Sequence, residues 1–368
     1  MKTEIKIIED TKQFRELEEH WNELLAKTPI KSVFLTWTWL YSWWAVYGGE
    51  KRLWIITAWK EKTLVGLAPL MLEKRKKGGT GLNFLVNLGT PQSDAGGFLY
   101  HPDHHEVVDD LIKTLISKHS MWDVLELNVL YTTGLECESI FRLHAPKEFY
   151  LKEEQNEHFF VPLEKDWDIF SNRLSKKFMH NLRRAVRLAD ELGMVELRHY
   201  SGELVNDQLV HELIDINRHS HYPRLYNSKK EQDLLFELIR NGGKQHNWLD
   251  IYILNIDNKP IAYEYGFVYE GRFESWRSGF NTNLPQNISI GKLLALRVVQ
   301  TCIEEGYREI DFLRGDEAYK LEWKPEKKIY SNIRIFNRKK AKAVLSYRWL
   351  ENIKPIIKKI NHQFRTKQ

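Results

Sequence analysis

Two stretches of this sequence carry the same order of elements at nearly the same length. Residues 53–72, "LWIITAWKEKTLVGLAPLML", and residues 249–268, "LDIYILNIDNKPIAYEYGFV", each place two apolar runs around a short charged turn. An amphipathic segment precedes each one: "TKQFRELEEHWNELLAKT" (11–28), with Phe14, Leu17, Trp21, Leu24 and Leu25 at helical spacing, and "NDQLVHELIDINRHS" (206–220). A helix followed by a hairpin, occurring twice, is the mark of a duplication at domain scale. With 368 residues the chain also exceeds what one core usually covers. The boundary is placed in "HFFVPLEKDWDIF" (158–170), giving a first domain over 1–160, a second over 161–337 and a tail over 338–368. The fold class that follows is α/β, with mixed sheets flanked by helices.

Composition narrows the setting. Apolar residues make up 42% and charged residues 29%, as in ordinary soluble globular proteins. Cys137 and Cys302 stand far apart with no His or Cys at ligand spacing, which argues against a disulfide scaffold and structural zinc and points to a reducing cytoplasm. The opening "MKTEIKIIEDTKQF" has no apolar leader region, and no run reaches the length of a membrane span. Charge is uneven. From Arg338 to Gln368 there are ten Lys or Arg against one Glu, a net of +9, so the remainder of a chain of net +5 carries −4. A basic tail with Trp349, Ile353, Ile356, Ile357, Ile360 and Phe364 interspersed is either a packed terminal helix or a peripheral contact with an anionic membrane.

Thr11 is the expected N-cap of the first helix, and "SVFLTWTWLYSWWAVYGG" reads as a buried aromatic helix ended by Gly48–Gly49. In the second half a third strand follows the hairpin. Then "NTNLPQNISIGKLLALRVVQTCIEEGYREIDFL" gives a polar loop, a helix over 291–305, a stop at Gly306 and a strand into Phe312. Ser289, Gly291 and Lys292 open that helix. Its free N–H groups and partial positive charge suit an anion, while the plainer reading is a helix capped by Ser289. The strand delivers "DFLRGDEAYKLEW" (311–323), where Arg314, Asp316, Glu317, Lys320 and Glu322 crowd around Tyr319 and Trp323. Ligand sites gather at strand ends in α/β sheets; the alternative is a surface turn of plain ion pairs.

"FLTWTWLYSWWAVYG", "LVGLAPLML", "SIGKLL" and "IDFLRGDEAYKLEW" together resemble the CelD/BcsL-type acetyltransferases of bacterial polysaccharide synthesis, within the GNAT superfamily and similar in build to the FemAB peptidyltransferases. The resemblance spans roughly residues 5–335 and implies tandem GNAT-like domains with acetyl-CoA or another acyl-CoA as donor. It places the donor's pyrophosphate on Asn287, Ile288, Ser289, Ile290, Gly291 and Lys292, where one glycine stands in a loop that often carries two. The first half has "FLYHPDHHEVVDDLI" at that place and is read as having lost donor binding.

Acyl transfer needs a base for the acceptor, a stabiliser for developing negative charge and a proton for the leaving thiolate. The segment offers each type, with Asp316 or Glu317 as base, Lys320 or Arg314 to neutralise an anion and Tyr319 as proton donor; the assignment made is Glu317 as base, Asp316 as the partner of Arg314, Lys320 as stabiliser and Tyr319 as proton donor. Trp276, Arg277, Trp323, His221, Tyr222 and Arg224 are the acceptor-side candidates, with core or helix-end roles as the plain alternatives. The basic segment Lys176, Lys177, His180, Arg183, Arg184 and Arg187 forms a helix that meets either solvent or a phosphorylated acceptor. "HSH" at 219–221 lacks a carboxylate at ligand spacing, so no metal is assigned. The activity implied is N- or O-acetylation of a small or lipid-linked sugar in the cytoplasm or at the inner face of the membrane. The competing readings are a FemAB-like transferase drawing on charged tRNA, which alone would involve nucleic acid, and a non-catalytic module of a polysaccharide assembly.

Overall fold

The computed structural model describes residues 3–77, 80–132, 134–143, 147–285, 287–315 and 317–350. Asp316 and residues 351–368 of the basic tail lie outside the described residues. In chain order the structure runs β1 (Glu4–Ile8), α1 (Thr11–Glu16), α2 (Glu18–Lys27), α3 (Trp37–Tyr47), β2 (Arg52–Leu53), β3 (Ile55–Lys60), β4 (Thr63–Ala68), β5 (Leu70–Lys77), β6 (Thr80–Asn87), β7 (Leu99–Tyr100), α4 (Val107–Ser117), β8 (Val124–Tyr131), α5 (Leu135–Leu143) and β9 (Phe149–Pro162). It continues with α6 (Trp167–Asn172), α7 (Lys176–Asp190), β10 (Val195–Tyr200), α8 (Asp207–Asn217), α9 (Lys229–Leu238), β11 (Leu249–Ile256), β12 (Lys259–Tyr269), β13 (Arg272–Phe280), α10 (Ile290–Glu304), β14 (Glu309–Arg314), α11 (Ala318–Glu322), β15 (Glu326–Asn337) and α12 (Ala341–Arg348).

Two compact units result. One comprises the chain up to Trp37, Gly48–Asn156 and the described residues from Tyr330 on; the other comprises Thr38–Tyr47 and Glu157–Ile329. In the first unit one sheet has the order β1-β3-β4-β7 and another the order β15-β8-β6-β5-β2. Its core gathers Trp54, Phe98, Val107, Leu111, Trp122, Leu125 and Ile333. The first helix differs from expectation at both ends. Asp10, not Thr11, is its cap, accepting the Lys12 and Gln13 N–H groups, and the helix breaks at Leu17. The β5–β6 hairpin was not expected, because Glu73 and Arg75 interrupt the apolar pattern. Arg75 pairs with Glu73 and Glu126, which lets those charges sit in a sheet.

The second unit holds the order β10-β11-β12-β13-β14-β9. The tight β11–β12 turn is built on Asp257 and Asn258, both at positive φ, as a primed hairpin turn demands. Side chains alternate across β12. Tyr263 faces α8, where its hydroxyl donates to Asn217 Oδ1 at 2.9 Å, and Ala262 faces α10 within the main core. That core joins Phe178, Leu182 and Ala185 of α7 to Leu293, Leu294, Leu296 and Val298 of α10. The aromatic helix α3 packs on the face of β12 that Tyr263 takes, with Trp39 edge-on to Phe267 and Trp276.

Trp323 is 2% exposed and lies against Phe170 and Phe178. It anchors the core, and the sugar-platform role considered for it is withdrawn, because a buried face cannot receive a ligand. Trp323→Ala is expected to destabilise the protein by about 3–5 kcal/mol, measured by denaturant unfolding. A loss below about 1 kcal/mol would contradict this placement.

Candidate active site

The second unit's sheet is opened between two parallel strands. β13 and β14 pair over three positions only, Arg272↔Glu309, Phe273↔Ile310 and Glu274↔Asp311. Both strands then change course. In β13 the register against β12 slips so that Gly266 faces Ser275 while Tyr265 faces Arg277, leaving Trp276 as an extra residue. Gly266 permits this close approach, since a Cβ there would stand 2.1 Å from Glu274 O. In β14 the register against β9 slips between Asp311 and Arg314, and Leu313 has φ 56°. From Ser275 on, β13 keeps its ladder with β12 and, among the described residues, pairs with no strand on its other edge. Such a gap offers backbone N–H and C=O groups to an extended, amide-bearing ligand.

The gap opens toward the start of α10, because β13 leads straight into the loop before that helix. Ser289, the residue at the cap position, has φ −86° and ψ 79° and makes no capping hydrogen bond, so the plain N-cap reading does not hold. Ile288 and Ile290 are buried in the core and hold the loop down. Asn287 is exposed beside them. A Cβ on Gly291 would stand 3.2 Å from Phe280 Cε1, and His221 lies edge-on to the same Phe280 ring at 5.1 Å. His221 is thereby set one ring away from the helix start. Lys292, placed by the resemblance at the donor's pyrophosphate, pairs with Glu322 at 2.8 Å.

The segment after β14 is organised by Lys320. Its side chain is buried, and Nζ donates to Arg314 O at 2.8 Å and pairs with Glu317 at 2.8 Å. An ammonium satisfied in this way ties down a turn and is not poised to meet a substrate. Gly315 at φ 110° is required in that turn, since a Cβ would lie 2.4 Å from Glu317 Oε2. Although burial works the other way, the hydrogen bond and charge of Lys320 hold the Glu317 carboxyl below its ordinary range. The base role expected for Glu317 therefore does not fit: an ion-paired carboxylate of lowered pKa is a weak proton acceptor. Arg314 is exposed at the strand end, in register with His158 of β9.

One carboxylate meets the requirement better and was missed in the sequence. Glu264 of β12 is 7% exposed, points to the α10 face, and accepts a hydrogen bond from Ser275 Oγ at 2.6 Å. Burial raises its pKa to about 7 against the opposing Ser275 hydrogen bond. Ser275 is the first β13 residue beyond the paired positions, so Glu264 stands at the mouth of the gap. Tyr319, which is 45% exposed, packs edge-on to Phe312, and the Glu264 charge acts on its hydroxyl. The available signal was a Glu set inside the apolar run "IAYEYGF".

The remaining candidates are placed as follows. Arg277 lies over the Trp276 ring at 4.7 Å and pairs with Glu231 at 3.8 Å, and Glu231 also accepts from Tyr47 Oη at 2.7 Å. Trp276 and Arg277 thus join a network with α3 and α9. Tyr222 and Arg224 are exposed at the end of the α8 region. Lys176, Lys177, His180, Arg183 and Arg184 line the solvent face of α7. Among the described residues no group of three or more His, Cys, Asp or Glu is set to hold a metal, and no helix is long and apolar enough to cross a membrane.

The first unit repeats the strand geometry with its gap filled. Parallel β6 and β8 pair over Phe84↔Val124 to Val86↔Glu126, and Val129 has φ 56°, like Leu313. There Asn87 Oδ1 accepts the Asn128 N–H at 2.7 Å, and the Gly96 N–H donates to Val129 O at 2.9 Å. Glu136 follows Val129 at the spacing by which Lys320 follows Leu313, and both are buried.

Residues 176–321 match a family model described as an acetyltransferase (GNAT) domain. No curated protein matches the chain. Solved structures do. FemX superposes with a TM-score of 0.57 at 9% identity, covering 90% of this chain and 97% of its own. A conserved protein of unknown function from Bacteroides thetaiotaomicron VPI-5482 gives 0.56 at 13% identity, covering 91% and 100%. A tandem GNAT protein from the clavulanic acid biosynthesis pathway gives 0.50 at 12% identity, covering 91% and 98%. At these identities the likeness establishes the fold: mixed α/β, of the tandem GNAT kind.

Lys320→Met removes the donor for two carbonyls and is expected to cost about 1–3 kcal/mol. Glu317→Gln removes a half-exposed carboxylate but leaves the buried Lys320 bonded to both carbonyls, and should cost less. Chemical denaturation of the two variants distinguishes them, and equal losses would refute the turn-anchoring role of Lys320.

Proposed function

We propose that this chain is an acyltransferase that takes an acyl group, acetyl in the simplest case, from a CoA thioester bound in its second unit. The observation that carries the reading is the gap between β13 and β14, opening onto the uncapped start of α10 with the Tyr319 hydroxyl beside it. An acyl-CoA donor has three parts that suit these features. Its extended pantetheine arm carries amides for the β13 edge where the ladder with β14 ends at Glu274, its pyrophosphate suits the N–H groups at 289–292, and its leaving sulfur needs a proton. Burial, together with the Glu264 and Glu317 charges, raises the pKa of Tyr319, which keeps its proton on the oxygen until a thiolate forms. The GNAT match over residues 176–321 supports the same chemistry.

For the acceptor we propose a sugar or polysaccharide precursor of the bacterial envelope. The sequence resemblance supports this, and the exposed His221, Tyr222 and Arg224 next to the donor end form the surface that would meet it. Their aromatic and guanidinium groups suit a phosphorylated sugar.

Isothermal titration is expected to show one acetyl-CoA per chain, because the first unit's gap is occupied by its own residues. Gly291→Asp sets a carboxylate where the pyrophosphate would lie and should weaken binding by roughly tenfold or more, about 1.4 kcal/mol, with the fold checked by melting. Tyr319→Phe should lower kcat and leave donor affinity unchanged. Undiminished binding by a folded Gly291→Asp variant would place the donor elsewhere.

A further inference from the structure

We propose that Glu264 is the residue that takes the proton from the acceptor, that Ser275 positions it, and that Glu264 returns this proton through Tyr319. This rests on the acyl-transfer reading. Three observations converge on it. The Ser275 hydroxyl fixes one Glu264 oxygen at 2.6 Å, at the point where β13 leaves β14. Glu264, Ser275 and Phe312 all lie on the α10 side of the sheet: Glu264 is two residues from Ala262 and Ser275 two from Phe273, both core residues of that side, as is Phe312 itself. Tyr319 packs edge-on to Phe312, with ring centroids 6.2 Å apart, on that same side.

The groups that face Glu264 leave it as the member of the cluster that titrates near neutrality. Ser275 comes from β13, Tyr319 from α11 and Cys302 from α10, while Tyr252 is its register partner on β11. Burial pushes the Tyr252 hydroxyl and the Cys302 thiol far above their ordinary values, so both stay neutral. Glu264 titrates near 7 for the same reason. A base in that range is ionised at working pH and still strong enough to accept a proton.

The step balances without an oxidant or reductant. The acceptor's nitrogen or oxygen attacks the thioester carbonyl carbon and forms the new bond, and its proton passes to the Glu264 carboxylate. The carbon–sulfur bond breaks, the sulfur keeps the electron pair, and the Tyr319 hydroxyl gives it a proton. Glu264, now a neutral acid, reprotonates the Tyr319 phenolate. The net products are the acylated acceptor and free CoA thiol.

The test follows thiol release from acetyl-CoA between pH 5.5 and 9, with glucosamine, hydroxylamine and glucose as acceptor probes. Wild type should lose activity below an apparent pKa near 7. Glu264→Gln should lower kcat by roughly 10²–10⁴-fold and abolish that acid limb while acetyl-CoA affinity holds. Ser275→Ala removes a bond that favours the charged form and should move the limb to higher pH. Turnover or an acid limb retained in Glu264→Gln overturns the proposal. Should the wild type bind acetyl-CoA yet acylate none of the probes, tyrosine ¹³Cζ NMR decides. The Tyr319 resonance, assigned with Tyr319→Phe, must titrate at lower pH in Glu264→Gln, and an unmoved titration overturns the relay. Absence of acetyl-CoA binding would instead defeat the donor reading, a result distinct from either.

Discussion

The parallel pairing of β13 with β14 ends after three residue pairs, and the rest of the site depends on that ending. A sheet normally continues its ladder from strand to strand, and ending a ladder inside a sheet is costly unless other groups take over. Here the cost is built in by two bulges at the same level, one at Ser275–Arg277 and one around Leu313. The bulge in β13 sets Ser275 against Glu264, and the turn in β14 throws the following chain across to bring Tyr319 to the gap. The fold thereby supplies a slot, a carboxylate and a hydroxyl by a single device.

Charges that look catalytic in the sequence hold the backbone in the structure. Lys320 is a buried ammonium serving two carbonyls of the turn at Arg314–Gly315. Glu322 balances Lys292, and Arg277 is balanced by Glu231. Placing charges in such turns is expensive unless each has a partner, which is why the segment 311–323 is so densely ionic. Its density measures how much backbone must be restrained there. The Glu264 charge is set by burial and the Ser275 hydroxyl, which suits the proton transfer proposed for it.

Much of the architecture was legible in the sequence. The helix–hairpin order in both halves, the helix after the "QNISIG" loop and the strand into Phe312 follow from apolar spacing and turn residues, and the structure shows each. What was not legible depended on contacts distant in sequence. Asp10 outcompetes Thr11 as a cap, a choice that local propensity leaves open. The β5–β6 hairpin hides behind charges that a strand on the same sheet neutralises. Glu264 reads as one polar residue in a buried strand, and only the register slip in β13 reveals its partner. Trp323 reads as either a core anchor or a ligand platform, and Phe170 and Phe178, which enclose it, decide for the core.

Hydrogen–deuterium exchange with and without acetyl-CoA tests the central claim most directly, because it reports on backbone N–H groups of the gap itself. The account predicts slowed exchange in β13 from Ser275 to Phe280 and in the first turn of α10, with β8 of the first unit unchanged. Slowed exchange confined to other segments, or in β8 with β13 unaffected, would contradict it.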